Sequence, residues 1–280
     1  MSVVKSLQHL RPAARRTARF LRRLRGRRPA YPPPHPPLEP GWLVAPPDFV
    51  GLGAHKAGTS WWYSLVAAHP RVRDRGHRVK ELHYFDRFFL RPFGRADIEA
   101  YHRYFARPPG MLAGEWTPGY LSDFWMPPLL HRAAPEARLL VLLRDPVDRY
   151  RSGLTHTAGM SRARLKRGDA VGEFARGLYA DQLDHLFAWF PPERVLVLQY
   201  ERCRRDPRGE LDRTFDFLGL ERQDPGSSAF ERRVNETITR KVDVPDDVID
   251  ALTIAYRPQM DRLCELVPTL DLSLWPTFAA

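Results

Sequence analysis

An α/β fold is what this sequence predicts: a P-loop-like central parallel sheet flanked by helices on both faces. Three observations carry that expectation. Short, wholly apolar runs recur far apart in the chain, helical stretches fall between them, and the first run ends in a glycine-rich turn. A strand buried on both faces needs an unbroken apolar run, and parallel strands need long crossovers between them.

The first 41 residues form a basic, proline-rich tail outside that fold. Residues 1–28 hold ten arginines and lysines and no acid, with apolar residues interleaved, as in Phe20-Leu21-Arg22-Arg23-Leu24-Arg25. Such a segment is either an amphipathic helix resting on anionic lipid or a solvated arm. Tyr31-Pro32-Pro33-Pro34-His35-Pro36-Pro37 follows as a stiff spacer. The compact domain is expected over residues 42–280.

Asp48–Gly53 reads as the first strand and Thr59–Ala68 as the first helix. Between them lies Gly53-Ala54-His55-Lys56-Ala57-Gly58-Thr59-Ser60. Backbone N–H groups in such a turn, with the positive end of the next helix, form an anion site. Lys56 adds a mobile charge, and Thr59 and Ser60 add hydroxyl donors. A nucleotide P-loop places its lysine after the second glycine; here Lys56 precedes Gly58, a poor match to an ATPase. The bland alternative is a glycine turn that lets a helix pack on a strand.

Arg138–Leu143 is the second strand, and Arg144-Asp145-Pro146-Val147-Asp148-Arg149-Tyr150-Arg151-Ser152 leaves its carboxyl end. If the two strands are neighbours, Arg144 emerges beside the first turn, with Ser152 about two helical turns on. That pair suits a second phosphate. Asp145 and Pro146 fit a helix N-cap and first-turn proline, and Arg149 and Arg151 fit solvated helix positions. Arg194–Leu198 is a third strand, and Leu211–Leu218 and Asp246–Val267 are helices. The last carries the stripe Val248, Leu252, Ala255, Met260 and Leu263.

Composition narrows the function. The chain has 280 residues, 43% hydrophobic, enough for one substantial core. Its formal charge of +11 resides in the tail: without the ten basic residues of 1–28, 34 basic face 33 acidic residues. A nucleic-acid-binding body would carry the excess on the fold itself, so no nucleic-acid partner is expected. Cys203 and Cys264 are too few for a disulfide framework, which suits a reducing compartment. No apolar run reaches membrane-spanning length. A cytoplasmic protein is therefore expected, with peripheral membrane contact through residues 1–28. The preference for arginine over lysine, with frequent alanine and proline, suggests a GC-rich bacterial source.

Taken together, the two loops resemble those of sulfotransferases that use 3′-phosphoadenosine 5′-phosphosulfate (PAPS), especially the heparan-sulfate N- and O-sulfotransferase branch. Lys80-Glu81-Leu82-His83-Tyr84-Phe85 resembles that family's E-x-H-x-F stretch, and Glu115-Trp116-Thr117-Pro118-Gly119-Tyr120 its E-K-T-P-x-Y. Weaker likenesses at Tyr200-Glu201, Asp206-Pro207, Phe217–Leu220 and Tyr256-Arg257-Pro258 extend the resemblance from Asp48 to Trp275. It implies that Lys56, Ala57, Gly58, Thr59 and Ser60 bind the 5′-phosphosulfate and that Arg144 and Ser152 bind the 3′-phosphate. Arg240 and Lys241 belong to a basic loop that closes over the nucleotide. Glu81 is the implied catalytic base.

The chemistry agrees. Sulfuryl transfer displaces a group that already carries charge, so positioning and charge stabilisation at the leaving oxygen dominate. Lys56 suits that stabilisation, and Glu81 suits removal of the acceptor proton. His83 is the other candidate base, since two residues along a strand share a face. The family's E-K-T-P lysine is Trp116 here; Lys80, Arg240 or Lys241 is expected to replace the charge, and Trp116 to stack on the acceptor. Trp61, Trp62 and Trp125 line an acceptor groove or pack in the core. The expected acceptor is a carbohydrate or small metabolite bearing a hydroxyl, less readily an amine, and not a highly sulfated glycosaminoglycan. No metal is required. The alternatives are a P-loop kinase or nucleotide hydrolase, or a non-catalytic partner of a membrane assembly.

Overall fold

The computed structural model describes residues 31–73, 80–160, 165–231 and 241–279. The chain divides into two units, Met1–Pro34 and His35–Ala280. Residues 1–30, which hold the basic arm, lie outside the described residues. The second unit begins where His35 bonds the Ala100 carbonyl at 2.8 Å and its ring meets Tyr104 at 4.3 Å.

Four parallel strands form the sheet: β1 (Phe49–Gly53), β2 (Gly114–Trp116), β3 (Arg138–Leu143) and β4 (Val195–Gln199), in the order β2-β1-β3-β4. Leu139 to Leu143 are fully buried, as an unbroken apolar run between two helical layers must be. β1 and β3 are neighbours, with Val50 opposite Leu139 and Gly53 opposite Val141. The first loop and Arg144 therefore leave the sheet side by side. Chain progression goes from β1 to β2 on one flank and to β3 on the other, so the crevice for a ligand opens at the carboxyl ends beside β1.

β2, only three residues long, carries no strand signal of its own. It pairs in register with Phe49 to Gly51. Gly51 makes this possible, because a Cβ there would sit 2.0 Å from the Trp116 ring.

The helices are α1 (Thr59–Val66), α2 (Arg95–His102), α3 (Met126–Ala133), α4 (Pro146–Met160), α5 (Arg167–Ala175), α6 (Tyr179–Phe187), α7 (Tyr200–Arg205), α8 (Pro207–Leu218), α9 (Ser227–Glu231) and α10 (Asp246–Leu266). Asp145 caps α4 as expected, its Oδ1 accepting from Val147 N at 2.9 Å. Gly219 ends α8 in the left-handed conformation, φ 68°. In α10 the buried stripe is Leu252, Tyr256, Met260 and Leu263, whereas Val248 and Ala255 face solvent.

Arg149 departs from expectation. It is fully buried, and its Nη1 bonds Glu173 Oε2 at 2.9 Å. Helix α5 packs against α4 at Gly153, where a Cβ would meet that carboxylate at 2.0 Å. Arg149 is thus an internal tie between two helices, and Arg151 alone remains exposed.

Candidate active site

Everything at the site follows from how the β1–α1 turn is built. Gly58 caps α1 with φ 89°, a left-handed conformation natural to glycine. A Cβ at Gly58 would also strike the Tyr200 ring at 2.7 Å. Lys56 too has positive φ, 67°. The turn is therefore held tight between the sheet and α7, its N–H groups at the amino end of α1.

Arg144 joins it from β3. Its Nη1 donates to the Lys56 carbonyl at 3.5 Å, its Nη2 meets Asp148 at 3.3 Å, and its guanidinium lies 5.3 Å from the Tyr200 ring centre. Arg144 Nε is buried with no hydrogen-bond partner. A buried charged donor left unpaired is costly, and a bound anion is the natural acceptor for it. Ser152 lies half-buried on α4. Val242 N donates to Thr155 Oγ1 at 3.0 Å, which draws exposed Lys241 alongside the same helix about one turn beyond Ser152. Arg240 lies outside the described residues.

The segment from Lys80 to Tyr84 crosses this turn. It is not a strand: the chain is irregular and His83 has φ 49°, and a short 3₁₀ turn follows at Phe85–Phe88. Glu81 and His83 still meet, with Nε2 to Oε2 at 3.4 Å, because the kink at His83 folds the ring back. Glu81 and His83 thus meet across a kink and not along a strand.

What holds the segment is the second motif. Leu82 N donates to Glu115 Oε2 and Thr117 Oγ1, both at 3.1 Å, and His83 N donates to Thr117 Oγ1 at 3.3 Å. Trp116 N donates to the Lys80 carbonyl at 2.8 Å, and Tyr120 Oη accepts from Tyr84 N at 2.7 Å. Glu115 and Thr117 are fully buried.

Trp116 itself cannot stack on an acceptor. It is fully buried against Gly51, and its Nε1 donates to the Gly53 carbonyl at 3.2 Å. Expectation fails here because a side chain on β2 must face the core. Trp61 and Trp62 are also core residues, and Trp125 alone is half-exposed.

Lys80, one of the three cations expected in place of the family's lysine, lies at the turn. Its side chain is 4% exposed, and its Nζ donates to Thr59 Oγ1 at 3.2 Å, Ser60 Oγ at 3.2 Å and Glu81 Oε1 at 3.0 Å. Burial lowers its pKa and Glu81 opposes that. Three acceptor oxygens around one nitrogen are the arrangement an ammonium satisfies.

Burial pushes the Glu81 carboxyl upward, but hydrogen bonds and charge from His83 and Lys80 outweigh it and hold it at about 2. Burial likewise disfavours charge on His83, yet Asp86 at 2.9 Å and Glu81 raise it to about 10. The resting site is a carboxylate, an imidazolium and a second carboxylate in a row. Asp86 lies three residues past His83, at a spacing no motif of the sequence marks.

Asp123 was also missed; burial first, then Asp86, raises it to about 6. His55, inside the turn, is held neutral at about 3 by burial and then by Arg176 and His156. A hollow of about 400 Å³ opens at the opposite, amino end of the strands, beside Asp48, Arg107 and Arg138. Those side chains are already bonded to one another or to backbone, so it is not the site.

The site thus joins a glycine turn at the start of α1, an arginine beside it and a carboxylate opposite. A family model described as the sulfotransferase domain matches residues 46–242, and the chain belongs to the sulfotransferase family. Human heparan sulfate glucosamine 3-O-sulfotransferase 6 is 33% identical over 208 residues, covering 67% of this chain and 58% of the relative. Human heparan sulfate glucosamine 3-O-sulfotransferase 3B1 is 30% identical over 190 residues, covering 63% and 47%. The chain thus spans only about half the length of these relatives. A sulfotransferase from Alicyclobacillus acidocaldarius superposes with a TM-score of 0.62 at 26% identity, over 83% of this chain and 99% of that one. The expected family and α/β architecture both hold.

Proposed function

We propose that the protein transfers the sulfuryl group of PAPS to a hydroxyl of a carbohydrate or small metabolite. The observation that carries this reading is the Lys80 ammonium, which links Thr59 and Ser60 of the anion turn to Glu81 within 3.2 Å. PAPS, when bound, supplies an activated sulfuryl group on a phosphate leaving group. The orphaned Nε of Arg144 and the tight turn at Gly58 fit a doubly phosphorylated nucleotide.

Lys56 and the N–H groups of residues 57–60 hold the 5′ end and offset charge on its departing oxygen. Thr59 and Ser60, whose oxygens already accept from Lys80, turn their O–H hydrogens to the same anion. Arg144 and Ser152 hold the 3′-phosphate, and Lys241 approaches from α4.

Glu81 accepts the acceptor's proton. It is ionised at rest, whereas His83, positively charged up to about pH 10, has no vacant lone pair for the task. His83 instead orients Glu81 and is itself fixed by Asp86. A carboxylate held near 2 is a weak base toward a resting alcohol. Its work comes late, as the bond to sulfur forms and the hydroxyl proton becomes acidic.

Glu81→Gln should lower turnover of labelled PAPS by about 10²-fold or more while calorimetry finds unchanged affinity for 3′-phosphoadenosine 5′-phosphate (PAP). Retained turnover would move the base to His83. Lys56→Ala retaining full turnover would remove the phosphosulfate assignment altogether.

A further inference from the structure

Beside the base lies a rim of uncovered apolar side chains. Phe89 is 55% exposed, Leu90 80% and Phe124 72%. Their neighbour Trp125 brings the two segments together, its ring centre 5.6 Å from that of Phe89 and 5.2 Å from that of Phe124. The rim is preformed: Trp125 Nε1 donates to the Phe85 carbonyl at 3.2 Å, and His185 Nε2 bonds the Phe124 carbonyl at 2.7 Å. Large apolar groups fixed in contact with water mark a binding surface.

The rim is continuous with the catalytic segment in both strands of its construction. Asp86, partner of His83, stands three residues before Phe89, and Asp123 immediately precedes Phe124. Asp123 is half-buried, and among the described residues its carboxylate has no hydrogen bond or ion pair. Among the described residues, the two cations whose charge acts on it are already engaged: Arg176 holds Glu173 at 2.8 Å, and His83 bridges Glu81 and Asp86. A sulfate or carboxylate on the acceptor would thus face Glu81, Asp86 and Asp123, with no uncommitted cation beside Asp123 among the described residues to receive it.

From this juxtaposition the geometry points to an uncharged acceptor alcohol carrying an aryl or alkyl group. Its apolar body lies on Phe89, Phe124 and Trp125, its reacting hydroxyl meets Glu81, and Asp123 accepts from a second hydroxyl. This rests on the sulfuryl-transfer reading above. It assigns Phe89, Phe124 and Asp123 as specificity determinants.

The test uses the full chain with labelled PAPS and three probes: 2-phenylethanol, octyl β-D-glucoside and a sulfated glucosamine disaccharide. At least one of the first two should show a kcat/KM tenfold or more above the disaccharide. The exposed double variant Phe89→Ser/Phe124→Ser should raise the KM of that probe about tenfold with kcat and PAP affinity within about twofold. Asp123→Asn should narrow the preference by raising turnover of the disaccharide.

Preference for the disaccharide, or no transfer to any probe while PAP still binds, overturns the acceptor class alone. Loss of PAP binding in the unaltered protein instead overturns the underlying reading. Unchanged kinetics in the double variant, with loss of a dimer seen by light scattering, would reassign the rim to contact between copies of this chain.

Discussion

Lys80→Met removes a buried charge that touches both halves of the site. Methionine matches the stem in length, so the 4%-exposed slot stays filled. Three hydrogen bonds are lost, to Thr59, Ser60 and Glu81. Burial raises the Glu81 value, yet Lys80 and His83 outweigh it and bring it from the ordinary 4.5 to about 2, a net effect of ~3 kcal/mol at 1.36 kcal/mol per tenfold. The Glu81 side chain is 35% exposed, so screening reduces this to ~1–2 kcal/mol, shared between the two partners.

Without Lys80 the Glu81 pKa rises, because burial then opposes only His83. In the unaltered protein Glu81 stays ionised across the acid range above its value near 2. In the variant kcat should gain an acid limb, falling as pH drops through the raised value. At pH 7 the loss of a buried cation beside the transferring group should lower kcat by about 10²-fold. Lys80→Arg should not restore it, since a planar fork cannot serve three oxygens arrayed around one point. The assay is labelled-sulfate turnover from pH 4 to 8, with circular dichroism to confirm the fold. A Met variant with kcat within threefold of normal and an unchanged profile would refute the assignment of Lys80.

Four further outcomes follow from the same coordinates. Arg144→Met should weaken PAP binding by about 10–100-fold, because the unpaired Nε and both Nη groups lose their anion; calorimetry reads this directly. Gly58→Ala should lower thermal stability by ~2 kcal/mol or more, measured by denaturant titration, since its Cβ meets the Tyr200 ring at 2.7 Å in a left-handed backbone. Glu173→Gln should cost ~3–5 kcal/mol by the same titration, because Arg149 is fully buried beside it. Asp123 binds a proton more tightly in the folded state, about 6 against an ordinary 3.8, so its protonation stabilises the fold below pH 4 and that stability is lost as pH rises through 6. With the partial exposure of Asp123 taken into account, the loss should be ~1 kcal/mol, and absent in Asp123→Asn.

Particular residues show what sequence could and could not reveal. The unbroken apolar run Leu139–Leu143 has no polar face to offer water, so burial in a parallel sheet was written in its composition. The order of Lys56, Gly58, Thr59 and Ser60 set the anion turn and its kinship before any coordinates. Trp116 shows the limit: nothing local says that the residue in the family's lysine position would turn inward beneath Gly51. The compensating charge on Lys80 comes from 36 positions earlier, across a backbone pairing of Trp116 N with the Lys80 carbonyl. Glu115 and Thr117 carry a family motif in one dimension and prove to be the scaffold of another segment. Arg149 reads as a solvated helix residue until α5 closes over it.

Sequence alone therefore determined three of the four strands, the glycine turn after the first and the Glu81–His83 pair, because each depends on residues a few positions apart. Only tertiary structure decided which cation faces that carboxylate, what holds the kinked segment, and where the uncovered aromatic rim stands. Those are contacts between distant segments, and the space left by neighbouring elements selects them rather than any local preference.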